Sequence, residues 1–218
     1  MARLKPYCVG LTGGVASGKS RVAAQLSGCG AGIVDTDLLA RELVAPGEPA
    51  LAEIAAAFGA SVLRADGSLD RASLRALVFA EPTARQRLET ILHPRIRALA
   101  VARVKECPAP YVVLVVPLLA EHFETYRPLL DRVLVVDCPA TVQRARLMAR
   151  DGLSEAEANA MLAAQIDRTQ RLAIADDRFD NSANIAIDEA ELIVRIAELH
   201  ARYMAYAQQN IPTDVAIN

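Results

Sequence analysis

Gly13-Gly14-Val15-Ala16-Ser17-Gly18-Lys19-Ser20 is a complete G-x-x-x-x-G-K-[ST] sequence, entered from the apolar run Tyr7 to Leu11 and left through a helical pattern from Gly18 to Leu26. A buried strand, a glycine-rich turn and a helix in that order make a phosphate-binding loop. The glycines let the backbone wrap tightly with its N–H groups aimed at phosphate oxygens, and the helix N-terminus adds the positive end of its dipole. Lys19 then neutralises the β- and γ-phosphates of a nucleotide, and the Ser20 hydroxyl ligates Mg²⁺. The plain alternative is a glycine-rich turn with a solvated lysine, and the full motif in its required context argues against it.

Outward from the loop, Gly32-Ile33-Val34 reads as a second strand, stopped at Asp35-Thr36-Asp37, with a helical pattern resuming from Leu38 to Val44. Strand, helix, strand opens a βαβ unit. From Pro46 to Lys105 the chain is Ala-rich and helical, with breaks at Pro46-Gly47, Gly59, Asp66-Gly67 and Pro82; Pro94 should begin or kink a helix. Tyr111 to Val116 and Arg132 to Val136 are nearly unbroken aliphatic runs, as expected of parallel strands covered on both faces. Pro139 to Arg150 reads as a basic helix, and Ser154-Glu155-Ala156-Glu157 as a capping box opening another to about Gln165, so that the pair forms a lid-like hairpin. Asp188 with Glu191 is expected to cap a last amphipathic helix through Tyr206, beyond which Gln208 to Asn218 reads as a fraying polar tail.

The composition narrows the function classes. With 24 basic against 26 acidic side chains the net charge is −2, which argues against a non-specific nucleic-acid binder or a polybasic membrane anchor. Cys8, Cys29, Cys107 and Cys138 are too widely spaced for a zinc knuckle or redox dithiol and read as small buried apolar residues. Arg3, Lys5 and Pro6 interrupt the start, so no secretory leader is expected, and the longest apolar run, Tyr111 to Ala120, is too short to cross a bilayer. A reducing, aqueous compartment, the cytoplasm, is the expectation, with no membrane and no nucleic acid as partner.

The loop alone does not name the acceptor of the phosphoryl group. A GTPase would carry an N-K-x-D segment, and none occurs; the strand from Tyr111 runs into Pro117-Leu118-Leu119 and not into a carboxylate. Another acid must serve the metal or the acceptor, and Asp35 and Asp37, at the carboxyl edge of the sheet, are the candidates. One carboxylate can face the nucleotide and Mg²⁺ while the other acts as general base for a hydroxyl. A D-x-D before a helix is equally a common N-cap.

Gly10 to Ser20, Val34-Asp35-Thr36-Asp37, Leu92-His93-Pro94, Val115 to Glu121, and Gln143-x-x-Arg146-x-x-x-Arg150 followed by Gln165 resemble, in that order, the dephospho-CoA kinase family, over about residues 8 to 206. The resemblance implies a P-loop, three-layer α/β/α fold with a five-stranded parallel sheet, a helical acceptor-binding insertion and a helical lid. It divides one kinase domain, 1–218, into a core of about 1–45, 108–140 and 170–206, an insertion of about 46–107 and a lid of about 141–169. It implies ATP and Mg²⁺ as cofactors, dephospho-CoA as the small-molecule substrate and no obligate protein partner, with phosphorylation of the ribose 3′-hydroxyl to give CoA and ADP. Asp37 then resembles the family's base, with Lys19, Arg146 and Arg150 as catalytic cations. Gly13 to Ser20, Arg21 and Asn181 become nucleotide-binding, Ser20 and Asp35 metal-holding, and Asp37, His93, Pro117, Leu118 and Glu121 acceptor-binding. For His93 a helix-capping or buried imidazole stands beside the acceptor role, and for the two arginines a solvated basic face. Ala120 stands where the family usually has Phe, Thr36 where Ala is common, and Arg21 where Thr is usual. Two rivals stay open on these residues: a kinase for another small alcohol or nucleotide, and a nucleotide-dependent switch with no acceptor site.

Overall fold

The computed structural model describes residues 5–182 and 189–209. In chain order its elements are β1 (Tyr7–Gly13), α1 (Lys19–Gly28), β2 (Gly32–Asp35), α2 (Thr36–Glu42), α3 (Pro49–Phe58), α4 (Arg71–Ala80) and α5 (Pro82–Glu106). There follow β3 (Tyr111–Val115), α6 (Phe123–Tyr126), β4 (Arg132–Asp137), α7 (Ala140–Asp151), α8 (Glu155–Ala163), α9 (Arg168–Ala173), β5 (Asp177–Asp180) and α10 (Glu189–Gln209). The chain divides into two compact units, residues 1–34 with 103–218 and residues 35–102.

The first unit carries a five-stranded sheet of order β2-β3-β1-β4-β5, in which β1 pairs in parallel with β3 and β4, and β4 with β5. Alternate residues of the central strands enter one core: Val9 and Leu11, Tyr111 and Val113, Leu134 and Val136, and Phe179. Val22 and Leu26 of α1 and Leu192, Ile196, Leu199 and Tyr203 of α10 cover them, spaced at three and four as a buried helix stripe requires. The intervening residues Val112, Leu114, Val133 and Val135 are just as buried on the opposite face. That double burial is why the strands read as continuous aliphatic runs and not as alternating ones. A buried carboxylate ties the edge strand in: Asp177 accepts from Arg132 Nε at 2.8 Å, Arg202 Nη1 at 2.9 Å and the Tyr203 hydroxyl at 3.1 Å. Burial pushes its pKa up, but the Arg132, Tyr203 and Arg202 bonds prevail and hold it below the usual carboxylate value.

The second unit packs α3, α4 and α5 around Val44, Leu51, Ile54, Val62, Leu69 and Leu74. The expected breaks are present: Gly59 ends α3 at φ 86, Pro82 opens α5, and Leu63 and Leu69 bridge antiparallel around Asp66-Gly67. At Pro94 no new helix begins: the proline lies inside α5, which runs through it. A mid-helix proline costs about 3 kcal/mol, and the helix tolerates it because Leu88, Ile91 and Leu92 pack on the core and Ile96 and Ala100 are buried beyond it.

Two of the four cysteine readings need correction. Cys8 and Cys138 are buried, whereas Cys107 is half-buried and Cys29 exposed; Cys29 caps the C-terminus of α1, where its backbone serves the helix and its side chain faces outward. The capping box at Ser154 has both halves in place, and α8 ends at Ala163. Asp188 lies outside the described residues. Among the described residues no helix is long and apolar enough to cross a membrane.

Candidate active site

The loop leaves β1 at Gly13 and enters α1 at Lys19, with Gly18 as the helix N-cap at φ 99, a left-handed conformation suited to glycine. A Cβ on Gly18 would collide with the Asn181 side-chain amide, and one on Gly13 with the Val136 carbonyl oxygen and, at 2.7 Å, the Ser17 hydroxyl. The loop therefore closes on itself and on the neighbouring β4 and β5 ends as only glycines permit. Ala16 is left-handed too, at φ 55, which costs an alanine about 1–2 kcal/mol. Contacts hold it there: Arg146 Nη1 donates to the carbonyls of Ala16 and Ser17 at 3.3 and 3.4 Å, and Asn181 Nδ2 to Ser17 O at 2.6 Å.

Three groups suit the loop to cradle phosphate. Lys19 Nζ curls over it, donating to Gly13 O at 2.7 Å and Gly14 O at 2.9 Å. The opening N–H groups of a ten-residue helix project from its N-terminus. The Ser17 hydroxyl, 1% exposed, is a buried polar atom with no hydrogen-bond partner among the described residues. An orphaned hydroxyl in such a loop is a donor and acceptor held ready for a ligand, and phosphate oxygens suit it. Ser20, the second residue of α1, is exposed.

Beside the loop opens a cavity of about 480 Å³, lined by Ala16, Gly18, Arg21, Arg146, Ala149, Arg150 and Asn181. Flat guanidinium groups and a side-chain amide around a cavity of this size can sandwich and read the edge of a planar base. Arg146 Nη2 also donates to Asn181 O at 3.0 Å, while Arg150 pairs with Asp151 at 2.8 Å. Arg21 bonds Glu189, the first residue of α10. Thus Arg146, Arg150, Arg21 and Asn181 come together with the loop. Asn181 itself is buried, and its N–H donates to Asp137 O at 2.8 Å.

Sequence reasoning passed over Asp137. This last residue of β4 is buried, accepts bidentately from Arg168 at 2.8 Å through each oxygen, and pairs with Arg178 Nη2 at 2.6 Å. The Arg168 hydrogen bonds, with the charge of both arginines, hold its carboxyl below the usual range against the opposing effect of burial. Arg171, buried at 8% exposure, was likewise missed. An acid at the end of an aliphatic run was the available signal for Asp137; Arg171 offered none.

The remaining acceptor-side candidates fall in both units. In the first, Pro117 O accepts from Thr12 Oγ1 at 3.2 Å, Leu118 is 38% exposed, and Glu121 Oε1 accepts from Ile166 N at 3.2 Å. In the second, Asp35 is the N-cap of α2, its Oδ1 accepting from the Asp37 N–H at 2.8 Å, and Asp37 lies exposed in the first turn. Capping thus occupies one oxygen of Asp35 and leaves the Asp37 carboxylate on the surface. His93 is exposed inside α5, which overturns its reading as a helix cap or a buried imidazole.

Comparison with known proteins adds to this geometry. The family model for dephospho-CoA kinase matches residues 7–187. The dephospho-CoA kinases of Dechloromonas aromatica and Aromatoleum aromaticum are 49% and 48% identical to the chain, over 94% and 93% of it and 97% and 96% of their own lengths. Among solved structures, protein TT1252 from Thermus thermophilus superposes with a TM-score of 0.75 at 31% identity, covering 91% of this chain and 97% of that one. The dephospho-CoA kinase from Campylobacter jejuni gives 0.66 at 26%, covering 94% and 98%. A shikimate kinase from Bacteroides thetaiotaomicron, at 0.50 and 14% identity, shares the fold alone. By sequence over nearly its whole length and by its phosphate loop, the chain belongs to the dephospho-CoA kinase family.

Proposed function

We propose that the chain transfers the γ-phosphoryl group of ATP to the ribose 3′-hydroxyl of dephospho-CoA, giving CoA and ADP, the last step of coenzyme A synthesis. The observation that carries the nucleotide half is the cradle at residues 13–20, with its buried Ser17 hydroxyl and overarching Lys19. Family membership carries the acceptor.

In this reading the loop N–H groups, Lys19 and Ser17 hold the phosphates, and the cavity bounded by Arg21, Arg146, Arg150 and Asn181 holds the base. The arginines also bring positive charge to the phosphates, where charge grows as the bond to the bridging oxygen breaks. Asp37 acts as general base, taking the proton of the acceptor hydroxyl as that oxygen bonds to phosphorus. Its exposure supports the role, since a carboxylate on the surface can meet an incoming alcohol. His93, Pro117, Leu118 and Glu121 are assigned to acceptor binding. Ser20 and Asp35, whose oxygen donors suit a hard cation, are the residues assigned to hold Mg²⁺, which would supply positive charge to the phosphates. The α7–α8 hairpin serves as the lid, residues 46–107 as the acceptor region, and the reaction is placed in the cytoplasm, where ATP is at hand.

The test is an acceptor panel: ATP and Mg²⁺ with dephospho-CoA, nucleoside monophosphates, shikimate and gluconate, following ADP release. Turnover of dephospho-CoA at a kcat/KM at least about a hundredfold above the others is expected. Turnover confined to another acceptor refutes the assignment.

A further inference from the structure

We propose that Gln143 and Gln165 are positioning residues that hold the phosphate loop in its nucleotide-receiving shape by clamping both backbone groups of Val15. Gln143, on α7, donates Nε2 to the Val15 carbonyl at 2.7 Å. Gln165, just beyond α8, accepts the Val15 N–H on Oε1 at 2.8 Å. One loop residue is therefore gripped from both ends of a single helical hairpin, the first turn of α7 and the segment after α8.

Both glutamines are held in turn. Gln143 is buried, and its amide fills the space a Cβ on Gly14 would need, with Arg171 Nη1 3.1 Å from the same point. Next to Gln165, the Ile166 N–H bonds Glu121 Oε1 at 3.2 Å and its carbonyl accepts from Arg171 Nη2 at 2.7 Å. The residue after Val15 is Ala16, whose left-handed backbone persists only where the surroundings over-determine it. Fixing the peptides on both sides of Val15 supplies that constraint one bond away. The polarity is dictated by the backbone: a carbonyl needs a donor from Gln143, and an N–H needs an acceptor from Gln165. The inference rests on the nucleotide half of the proposed function and is independent of the acceptor.

The experiment measures ATP binding to the full chain by titration calorimetry, without acceptor, for the wild type, Gln143→Met and Gln165→Met, and for each combined with Ala16→Gly. Methionine keeps the length of glutamine and removes its amide. We expect the Kd for ATP to rise about tenfold in each methionine variant. Ala16→Gly in the same chain should recover most of that loss, because glycine takes the left-handed conformation without steric cost. Affinities within about twofold of wild type in both methionine variants overturn the proposal. So does loss of affinity that Ala16→Gly leaves untouched, since that is how mere packing residues would behave. Should a methionine variant fail to fold, Gln165→Glu and Gln143→Glu replace it. Glutamate at 165 keeps the acceptor, whereas at 143 it sets a carboxylate against a carbonyl, so Gln143→Glu must bind ATP more weakly than Gln165→Glu; equal affinities overturn the clamp. A wild-type chain that takes up no ATP overturns the nucleotide reading itself, and the clamp with it, and is told apart because no variant is involved.

Discussion

Replacing Ser17 with alanine should make the nucleotide-free chain more stable and the nucleotide complex weaker, two effects of opposite sign from one oxygen atom. The hydroxyl is buried, unpartnered, and seated in space that the missing Cβ of Gly13 leaves open. Leaving a polar group buried without a partner costs about 1–3 kcal/mol, so deleting it should return about 1 kcal/mol after the small void is charged against it. For a chain of 218 residues that corresponds to a rise of about 2–4 °C in the unfolding midpoint. With ATP present the account reverses. A hydrogen bond to a charged phosphate is worth about 1.5–3 kcal/mol, so affinity should fall on the order of ten- to a hundredfold. Urea unfolding without nucleotide reads the first effect, and calorimetric titration with ATP the second. A Ser17→Ala chain that is less stable than wild type, or that binds ATP as tightly, would refute the reasoning: the hydroxyl would then be satisfied within the protein and no part of the cradle.

Asp37→Asn should lower kcat by roughly 10²–10⁴ while leaving ATP affinity intact, because it removes the proposed base and keeps the backbone N–H that Asp35 caps; steady-state kinetics with dephospho-CoA decide it. Asp177→Ala should cost about 1–3 kcal/mol in urea unfolding, since it leaves the buried Tyr203 hydroxyl without its acceptor while the partly exposed Arg132 and Arg202 turn to water, and a loss under about 0.5 kcal/mol would show the cluster to be solvated. The pH dependence of stability follows in sign from Asp137 and Asp177, both with folded pKa values below their unfolded ones. Their contribution is fully present above the unfolded carboxylate value of about 4 and is lost as pH falls through the lower folded values, so unfolding midpoints should hold steady down to about pH 4 and drop beneath it. Stability that declined already between about pH 7 and 5 would point to other groups.

The sheet was legible wherever burial wrote itself into composition. β1, β3 and β4 are covered on both faces, so their residues are aliphatic in succession and their ends fall within a residue or two of the apolar runs. β5, Asp-Arg-Phe-Asp at 177–180, carries no such signature, because one of its two buried residues is a carboxylate satisfied by three partners on β4 and α10. A fifth strand was thus implied by family resemblance alone. At Pro94 local rules weigh the missing N–H and leave a helix start or a kink as alternatives; only the second unit's core shows what carries the helix through it.

The site shows the same division between what lies along the chain and what meets across it. The loop is legible because its requirements are local: glycines where a Cβ would strike a carbonyl or an amide, a lysine and a serine at fixed offsets from the helix start. Arg146 and Arg150 are also local in one respect, since their four-residue spacing puts them on one face of α7, and both do line the same cavity. Their partners differ all the same. Arg146 binds three carbonyls, from Ala16, Ser17 and Asn181, joining the loop to the end of β5, whereas Arg150 bonds its neighbour Asp151. A helix sequence fixes which way a side chain leaves the backbone; it carries no record of which distant carbonyls pass beneath it. Replacing Arg146 should therefore disturb the shape of the loop as well as its charge, while replacing Arg150 should change charge alone, and lysine at each position separates the two: it restores the charge at 150 but not the three-carbonyl grip at 146.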